Sequence, residues 1–140
     1  MSRIAASILV AALALTASLP ALAMESIKTV SIRASEFRFT PARITLTRGQ
    51  RVALEITNRG TMDHEFLSTI FTAAKDVTIK AEGIKVEAGE VKEVEIEKGH
   101  MVTIELTPTR TGTFQFWCAE VLKGKLHRDL GMRGILTVRP

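Results

Sequence analysis

The chain has 140 residues, of which 46% are hydrophobic and 24% charged, and its formal net charge is +4 at neutral pH. These values are typical of one domain with room for a hydrophobic core, and a second domain is not expected. The basic residues are spread along the chain without an arginine-rich tract or an aromatic RNA-binding motif, so we expect no nucleic-acid partner.

Residues 1–23 have the pattern of a secretory signal peptide. Arg3 precedes the apolar run Ile4 to Leu19, and small residues follow in Ala21-Leu22-Ala23. A membrane anchor is the alternative, but the run is shorter than the about 20 apolar residues of a bilayer-spanning helix. We therefore predict export to the periplasm or another extracytoplasmic compartment. The mature domain is then residues 24–140, with no stable membrane insertion after cleavage.

Short segments of alternating apolar residues follow the signal. In chain order they contain Val30 and Ile32, Ile44 and Leu46, Val52 with Leu54 and Ile56, Val94 and Ile96, Val102 with Ile104 and Leu106, Phe114 and Phe116, and Leu136 and Val138. A period of two residues indicates β-strands, and many short strands separated by turns indicate an all-β sandwich or barrel. Residues 66–83 interrupt the pattern, and we predict an irregular insertion with a helical turn there.

A run of glutamates follows this insertion. Glu93, Glu95 and Glu97 alternate with Val94 and Ile96. This pattern predicts a solvated strand face that discourages pairing with other chains, and it is less typical of an acidic cation site.

Cys118 is the only cysteine of the chain, so the domain has no internal disulfide. A free thiol in an exported protein has two interpretations. It is either a buried, inert core residue or a side chain occupied by a ligand such as a metal ion.

The residues around Cys118 favour a metal ligand. Phe114, Phe116 and Cys118 alternate, so the thiol is predicted to face the core at the end of a strand. His127 and Met132 lie on the loop that leads from this strand to the last one. His64 follows a strand and a turn, and is the candidate for a fourth ligand from elsewhere in the chain.

One thiolate, two imidazoles and one thioether form the donor set of a mononuclear copper site. Thiolate and thioether favour the reduced ion, while imidazole suits both oxidation states. The sequence therefore predicts one copper ion, cycling between Cu(I) and Cu(II), bound by His64, Cys118, His127 and Met132. A metal-free binding module with an inert Cys118 remains the alternative.

Three segments also carry a recognisable pattern: N-x5-H from Asn58 to His64, GTFQFWC at 112–118, and H-x4-M from His127 to Met132 before the closing strand ILTV. They resemble the cupredoxin family of small blue copper proteins, such as plastocyanin, pseudoazurin and rusticyanin, over roughly Ile27 to Pro140. The resemblance implies a Greek-key β-sandwich of seven to eight strands. It also implies equatorial ligands His64, Cys118 and His127, an axial Met132, and electron exchange through the exposed edge of His127.

Two features depart from the family pattern. Eight residues separate Cys118 from His127, more than in typical members, and this loop is similar to the dinuclear copper loop of cytochrome c oxidase subunit two. Leu122 stands where that loop has a second cysteine, so we expect a single copper. The long loop could let Glu120 or a water approach the metal, and Glu65 beside His64 could lower the potential or attract a second cation.

The function expected from these residues is one-electron transfer between a redox protein donor and an acceptor, without enzymatic activity. Metal handling is the alternative, either as a copper carrier or as a partner in iron uptake that oxidises ferrous iron. A self-contained multicopper oxidase or nitrite reductase fits worst, because the only histidines are His64, His100 and His127, and His100 is expected at the surface. Leu126, Leu130 and Ile135 are candidates for a small docking patch or for core residues.

Overall fold

A computed structural model describes residues 26–81, 84–87 and 91–140 of the chain. The predicted signal peptide, residues 1–23, and the predicted start of the mature domain at residue 24 lie outside the described residues. Both stay predictions.

The described residues form β-strands and two short 3₁₀ helices, η1 and η2. The strands are β1 Lys28–Ser35, β2 Arg38–Thr40, β3 Arg43–Thr47, β4 Val52–Asn58, β5 His64–Ser68, β6 Ala74–Ala81, β7 Ile84–Glu87, β8 Glu93–Ile96, β9 Met101–Pro108, β10 Gly112–Trp117, β11 Val121–Leu122, β12 Lys125–Leu126 and β13 Arg133–Arg139; η1 is Thr69–Ala73 and η2 is His127–Leu130. In this part of the chain no helix is long and apolar enough to cross a membrane.

Two sheets form the sandwich. One has six strands in the order β2-β1-β4-β9-β6-β7, and the other has five in the order β3-β13-β10-β5-β8. Most neighbouring strands are antiparallel, whereas β1 with β4 and β3 with β13 are parallel. Strands β11 and β12 form a separate hairpin. The predicted all-β sandwich is therefore confirmed.

The core lies between the sheets, where each strand points its alternate apolar residues. Ile32, Leu54, Ile56, Phe66, Ile104, Leu106, Phe116 and Leu136 are fully buried. Phe66 stacks on Phe116 with ring centroids 5.3 Å apart, and Phe39 meets both rings edge-on. Such aromatic contacts stabilise a core beyond the area they bury. Cys118 and Met132 belong to the same buried cluster.

The described part of the segment 66–83, residues 66–81, differs in part from the prediction, and residues 82 and 83 lie outside the described residues. The helical turn is present as η1. Ser68 caps its N-terminus, because the Ser68 hydroxyl oxygen accepts a hydrogen bond from Ile70 N at 3.2 Å. The flanking residues are not irregular: β5 pairs with β8 and β10, and β6 pairs with β7 and β9. These added strands, with the hairpin of β11 and β12, raise the number of strands above the seven to eight expected.

We predict that Gly134→Ala destabilises the sandwich. A β-carbon at Gly134 would lie 2.1 Å from Phe116 Cζ and 2.5 Å from the Ala42 carbonyl oxygen, so the ring and the backbone of the neighbouring segments must move. Overpacking of this kind costs about 1–3 kcal/mol of unfolding free energy, measured by urea denaturation. Thr45→Ala, exposed on β3, is the control and should change stability by no more than about 0.5 kcal/mol. An unchanged midpoint for Gly134→Ala would contradict the packing described.

Candidate metal centre

His64 is placed by a buried asparagine one loop upstream. Asn58 ends β4, and its Nδ2 donates to the carbonyl oxygens of Met62 and Ile96, both at 2.9 Å. Its Oδ1 accepts a hydrogen bond from Gly60 N at 2.9 Å. The loop 59–63 is therefore folded back on the end of β4. Strand β5 then starts at His64, and the alternation of the strand turns the imidazole inward, where it is fully buried.

Cys118 follows the last residue of β10 and keeps the inward direction of Phe116, as predicted. Its backbone N–H donates to the Met132 carbonyl oxygen at 3.0 Å, and its carbonyl oxygen accepts from Arg128 N at 3.1 Å. Both bonds tie Cys118 to the far end of the loop that it begins. The thiol is fully buried.

The long loop between Cys118 and His127 is taken up by a hairpin. Strands β11 and β12 pair directly, and His127 N donates to the Glu120 carbonyl oxygen at 2.8 Å, which returns the chain to a point beside Cys118. Helix η2 is followed by Gly131, whose φ of 115° is a left-handed conformation that favours glycine. Met132 N donates to the His127 carbonyl oxygen at 3.0 Å. The extra residues therefore fold away from the cysteine and the histidine without separating them.

These elements bring the predicted donors together. Cys118 Sγ lies 3.5 Å from His127 Nδ1 and 4.0 Å from His64 Nδ1, and the three donor atoms all lie within 4.8 Å of one another. Met132 is buried and joined by backbone hydrogen bonds to both Cys118 and His127. The four residues lie near each other, and their nitrogen and sulfur donors fit a single type 1 copper site.

Burial disfavours the charged forms of the Cys118 thiol and of the His64 imidazole. Burial raises the pKa of the Cys118 thiol, although backbone N–H groups of Glu65, at 3.3 Å from Sγ, and Glu120 act in the opposite direction. Burial also lowers the pKa of His64, with a further contribution from the nearby His127. A bound cation reverses this balance at the thiol, because it stabilises the thiolate. The backbone donors then stabilise the same thiolate.

The outer edge of His127 is covered, which corrects the expectation that it is exposed. His127 is only 2% exposed, because the Phe37 ring packs edge-on against it with centroids 5.1 Å apart. Phe37 has a φ of 57°, an uncommon conformation for a bulky residue. The preceding Glu36 accepts hydrogen bonds from the backbone and side chain of Thr61, which lower the pKa of Glu36 to about 2.

The acidic residues considered beside the site do not join it. In the described part of the chain, the only group of histidine, cysteine and acidic donors close enough to hold a metal is His64, Cys118 and His127, so Glu65 and Glu120 are not in it. Strand β5 turns the Glu65 side chain to the face opposite His64. Burial and the neighbouring Glu120 raise the pKa of Glu65. Glu65 therefore reaches the site with its backbone N–H, and its carboxylate points elsewhere.

The remaining predicted residues lie around the site or away from it. His100 is exposed at the surface, as predicted, with Nδ1 3.6 Å from a Glu97 carboxylate oxygen. Of the three apolar residues considered for a docking patch, Leu130 is 37% exposed, and Leu126 and Ile135 are half-buried. They do not form one exposed apolar surface.

Comparison with known proteins identifies this fold. A profile described as a cupredoxin-like domain matches residues 5–138. Auracyanin from the photosynthetic bacterium Roseiflexus castenholzii, solved after reduction with dithionite, is 21% identical, with a TM-score of 0.58 over 81% of this chain and 98% of that one. Auracyanin B is 21% identical, with a TM-score of 0.56 over 81% of this chain and 89% of that one.

Larger copper proteins contain a similar unit. A multicopper oxidase from Campylobacter jejuni is 15% identical, with a TM-score of 0.60 over 88% of this chain but 32% of that one. This chain thus spans about a third of that oxidase. At such identities the likeness shows a shared fold. No curated protein sequence matches the chain significantly.

Several residues that shape the site are not among its candidate ligands. Asn58 was noted in the sequence only as the first residue of the N-x5-H pattern. Its position at the end of an apolar strand is the signal that could have indicated a structural role. Glu36 and Phe37 are 28 and 27 residues before His64 and carry no such signal. The turn between β1 and β2 reaches the site only through the sheet topology.

We predict that Asn58→Ala loosens the site before it unfolds the domain. The substitution leaves the carbonyl oxygen of Ile96 without its partner in a buried position, which costs about 1–3 kcal/mol, and it also removes the part-buried bonds to the Met62 carbonyl oxygen and from Gly60 N. Because His64 is then held less firmly, metal affinity should fall by about 10-fold or more, as for other supports of metal ligands. Urea denaturation and a competitive copper titration measure the two effects.

Arg59→Ala is the matched control for that variant, since Arg59 is exposed in the same loop and its backbone N–H bond to Ala34 is kept. It should leave affinity and stability close to wild type. Equal losses of affinity in both variants would show that the loop, and not the Asn58 hydrogen bonds, places His64.

Proposed function

The chain belongs to the cupredoxin-like domain family, and from this premise we propose that it is a mononuclear type 1-like copper protein that carries single electrons. The family and the fold support copper binding, and the donor set of the site supports one copper ion. Electron carriage, the partners and the cellular location go beyond these observations and form the proposal.

We propose that His64, Cys118, His127 and Met132 would hold the copper. The two Nδ1 atoms lie 4.0 and 3.5 Å from Cys118 Sγ, so these three donors are close enough to bind one ion, and together with the Met132 thioether they would supply the donor set that suits a type 1 copper. Met132 is supplied by the same loop and buried beside them. The copper ion, when bound, supplies the exchange between Cu(II) and Cu(I).

The observation that carries the proposal is the network of hydrogen bonds that holds the donor set. Cys118, His127 and Met132 are linked to one another through backbone hydrogen bonds, and the Asn58 bonds fix the loop before His64. A site with fixed ligands changes little in geometry between oxidation states, which suits rapid electron transfer. The chain's own contribution is to hold the ligands, exclude water and stabilise the thiolate through the Glu65 N–H.

Export and the absence of a chemical reaction are the remaining parts of the proposal. We place the protein in the periplasm or an equivalent compartment on the signal pattern of residues 1–23. The redox partners are a donor protein and an acceptor protein. Structural neighbours include domains of larger copper enzymes, but this chain spans only about a third of such a protein, so we do not carry an oxidase activity over.

The alternative, metal handling, requires that copper leaves the site readily. Burial of all four side chains favours retention. Release of Cu(I) to an excess of a soluble chelator separates the two functions. Release that takes hours supports an electron carrier, whereas release within seconds supports a copper carrier.

We expect the metal-free protein to bind one Cu(II) per chain and to develop an intense thiolate-to-copper absorption band. Cys118→Ser should remove the band, because the hydroxyl cannot replace the thiolate as electron donor to Cu(II). Met132→Leu should keep the band and alter its energy and the electron paramagnetic resonance parameters, because it removes only the weak axial ligand. Visible absorption and paramagnetic resonance titrations measure both.

His100→Ala is the control, since His100 is exposed in a turn and outside the donor group. Its titration should match that of wild type. An absorption band that persists in Cys118→Ser, or the absence of the band in wild type, would contradict the copper assignment.

A further inference from the structure

Each of the two candidate histidine ligands has one buried nitrogen without a hydrogen-bond partner among the described residues. These atoms are His64 Nε2 and His127 Nε2. The other nitrogen of each ring, Nδ1, lies near Cys118 Sγ and is the candidate metal donor. A buried polar atom without a partner is unfavourable and rare in native proteins, so both Nε2 atoms require an explanation.

Metal binding through Nδ1 turns His64 Nε2 into a hydrogen-bond donor. A neutral imidazole carries one proton, so a ring that binds a metal with one nitrogen has its proton on the other. Metal-bound histidines almost always donate this N–H to a carboxylate, a backbone carbonyl oxygen or a water. The acceptor fixes the tautomer and the orientation of the ring. His64 therefore needs an acceptor near Nε2.

Gly60 marks the space beside this nitrogen. A β-carbon built on Gly60 would lie 2.9 Å from His64 Nε2, 2.7 Å from Glu36 Oε1 and 3.2 Å from Asn58 Oδ1. The ring nitrogen and two side-chain oxygens therefore approach the same small space. Any larger residue at position 60 would fill it and displace at least one of these atoms.

Of the two oxygens, the Glu36 carboxylate is the better acceptor. The Asn58 amide is fixed by its bonds to the Met62 and Ile96 carbonyl oxygens, and its Oδ1 already accepts from Gly60 N. Glu36 ends in a carboxylate on a flexible side chain. A carboxylate accepts stronger hydrogen bonds than an amide oxygen, because the bond is assisted by its charge.

Thr61 holds the Glu36 carboxylate at this position. Glu36 Oε1 accepts from Thr61 N and, at 2.9 Å, from Thr61 Oγ1. Thr61 belongs to the loop that leads to His64, so the carboxylate is attached to the same segment as the ligand. Burial and His127 lower the pKa of His64, and Glu36 has the largest effect in the opposite direction. The electrostatic field at the ring thus agrees with the geometry.

The acidic neighbours of His64 in the chain are directed elsewhere. Asp63 Oδ1 accepts from Lys98 N at 2.7 Å, and Asp63 is exposed. Strand β5 turns the Glu65 side chain to the face opposite His64. The acceptor is therefore supplied by the turn between β1 and β2, which is remote in sequence. The next residue of that turn, Phe37, covers His127 with a ring that contains no oxygen acceptor.

We propose that Glu36 is a positioning residue of the metal centre, whose carboxylate accepts the Nε2–H of His64 when Nδ1 of the same ring binds a metal ion. The inference rests on the proposed function, because it requires a metal at His64 Nδ1. Glu36 does not bind the metal. It holds His64 in the tautomer that leaves Nδ1 free for the metal, and its charge makes the imidazole a stronger donor.

Nuclear magnetic resonance of the Cu(I)-loaded protein, which is diamagnetic, observes the proton on His64 Nε2. Its resonance should exchange slowly with solvent and lie downfield, as expected for a bond to a carboxylate. In Glu36→Gln it should move upfield, because the amide oxygen is a neutral acceptor that also keeps the Thr61 bonds. The resonance of the His127 Nε2–H should not move and serves as an internal reference.

Metal affinity and reduction potential test the effect of the charge. Glu36→Gln should bind Cu(II) about 10-fold or more weakly than wild type, as for other outer partners of metal ligands. The loss for Cu(I) should be smaller, because an anionic acceptor favours the more highly charged ion. A 10-fold loss confined to Cu(II) corresponds to a potential higher by about 59 mV. Competitive titrations and voltammetry measure these changes.

Two further variants separate the contact from the charge. Glu55→Gln is the matched control, because Glu55 is also half-buried but lies on β4 between the inward-facing Leu54 and Ile56. It should leave affinity and potential unchanged. Gly60→Ala keeps the charge of Glu36 but places a β-carbon between the carboxylate and the ring. It should weaken Cu(II) binding as Glu36→Gln does, and the double variant should lose little more.

Three results would overturn the inference while the proposed function stands. They are an unchanged His64 resonance and affinity in Glu36→Gln with the copper band intact, an equal loss in Glu55→Gln, and a His64 Nε2–H that exchanges rapidly with solvent in wild type. If no copper band forms, Zn(II) replaces Cu(I) in the resonance experiment, since zinc accepts the same nitrogen and sulfur donors. A His64 resonance that then responds to Glu36→Gln supports the positioning role, although the proposed function has failed.

Discussion

The site depends on a loop that is hydrogen-bonded to itself. Cys118 N donates to the Met132 carbonyl oxygen, and Met132 N donates to the His127 carbonyl oxygen, so backbone hydrogen bonds connect three of the four candidate donors. The pairing of β10 with β13 continues from this closure and connects it to the sheet. Only His64 has to be brought from elsewhere, and the buried Asn58 does so.

Burial decides the chemistry that this arrangement permits. A thiol and an imidazole kept uncharged in a dry cluster offer soft and borderline donors without exposing a reactive thiolate to solvent. The Phe37 ring, which closes the end of the site over His127, extends the same exclusion of water.

Local patterns predicted the sandwich and the four donors, but not the way they are covered. The alternation of residues predicted that Phe116 and Cys118 point inward, and the set of one cysteine, two histidines and one methionine predicted copper. Both predictions were possible because each of these patterns lies within a short segment of the sequence. The prediction that the His127 edge is exposed was wrong. Phe37, which covers this edge, is distant in sequence and reaches the site only through sheet pairing. Strands β6 and β7 were missed because the pairing of β6 with β9, and of β7 with β6, is set by the whole sheet and not by a local period.

X-ray absorption at the copper edge, recorded for the oxidised and reduced protein, tests the central claim most directly. If the backbone pre-assembles the donor set, both states should show one short copper–sulfur bond and two imidazole nitrogens, with little change between them. A copper environment without a short sulfur bond, or one that loses an imidazole on reduction, would contradict the account of a fixed His64, Cys118 and His127 set.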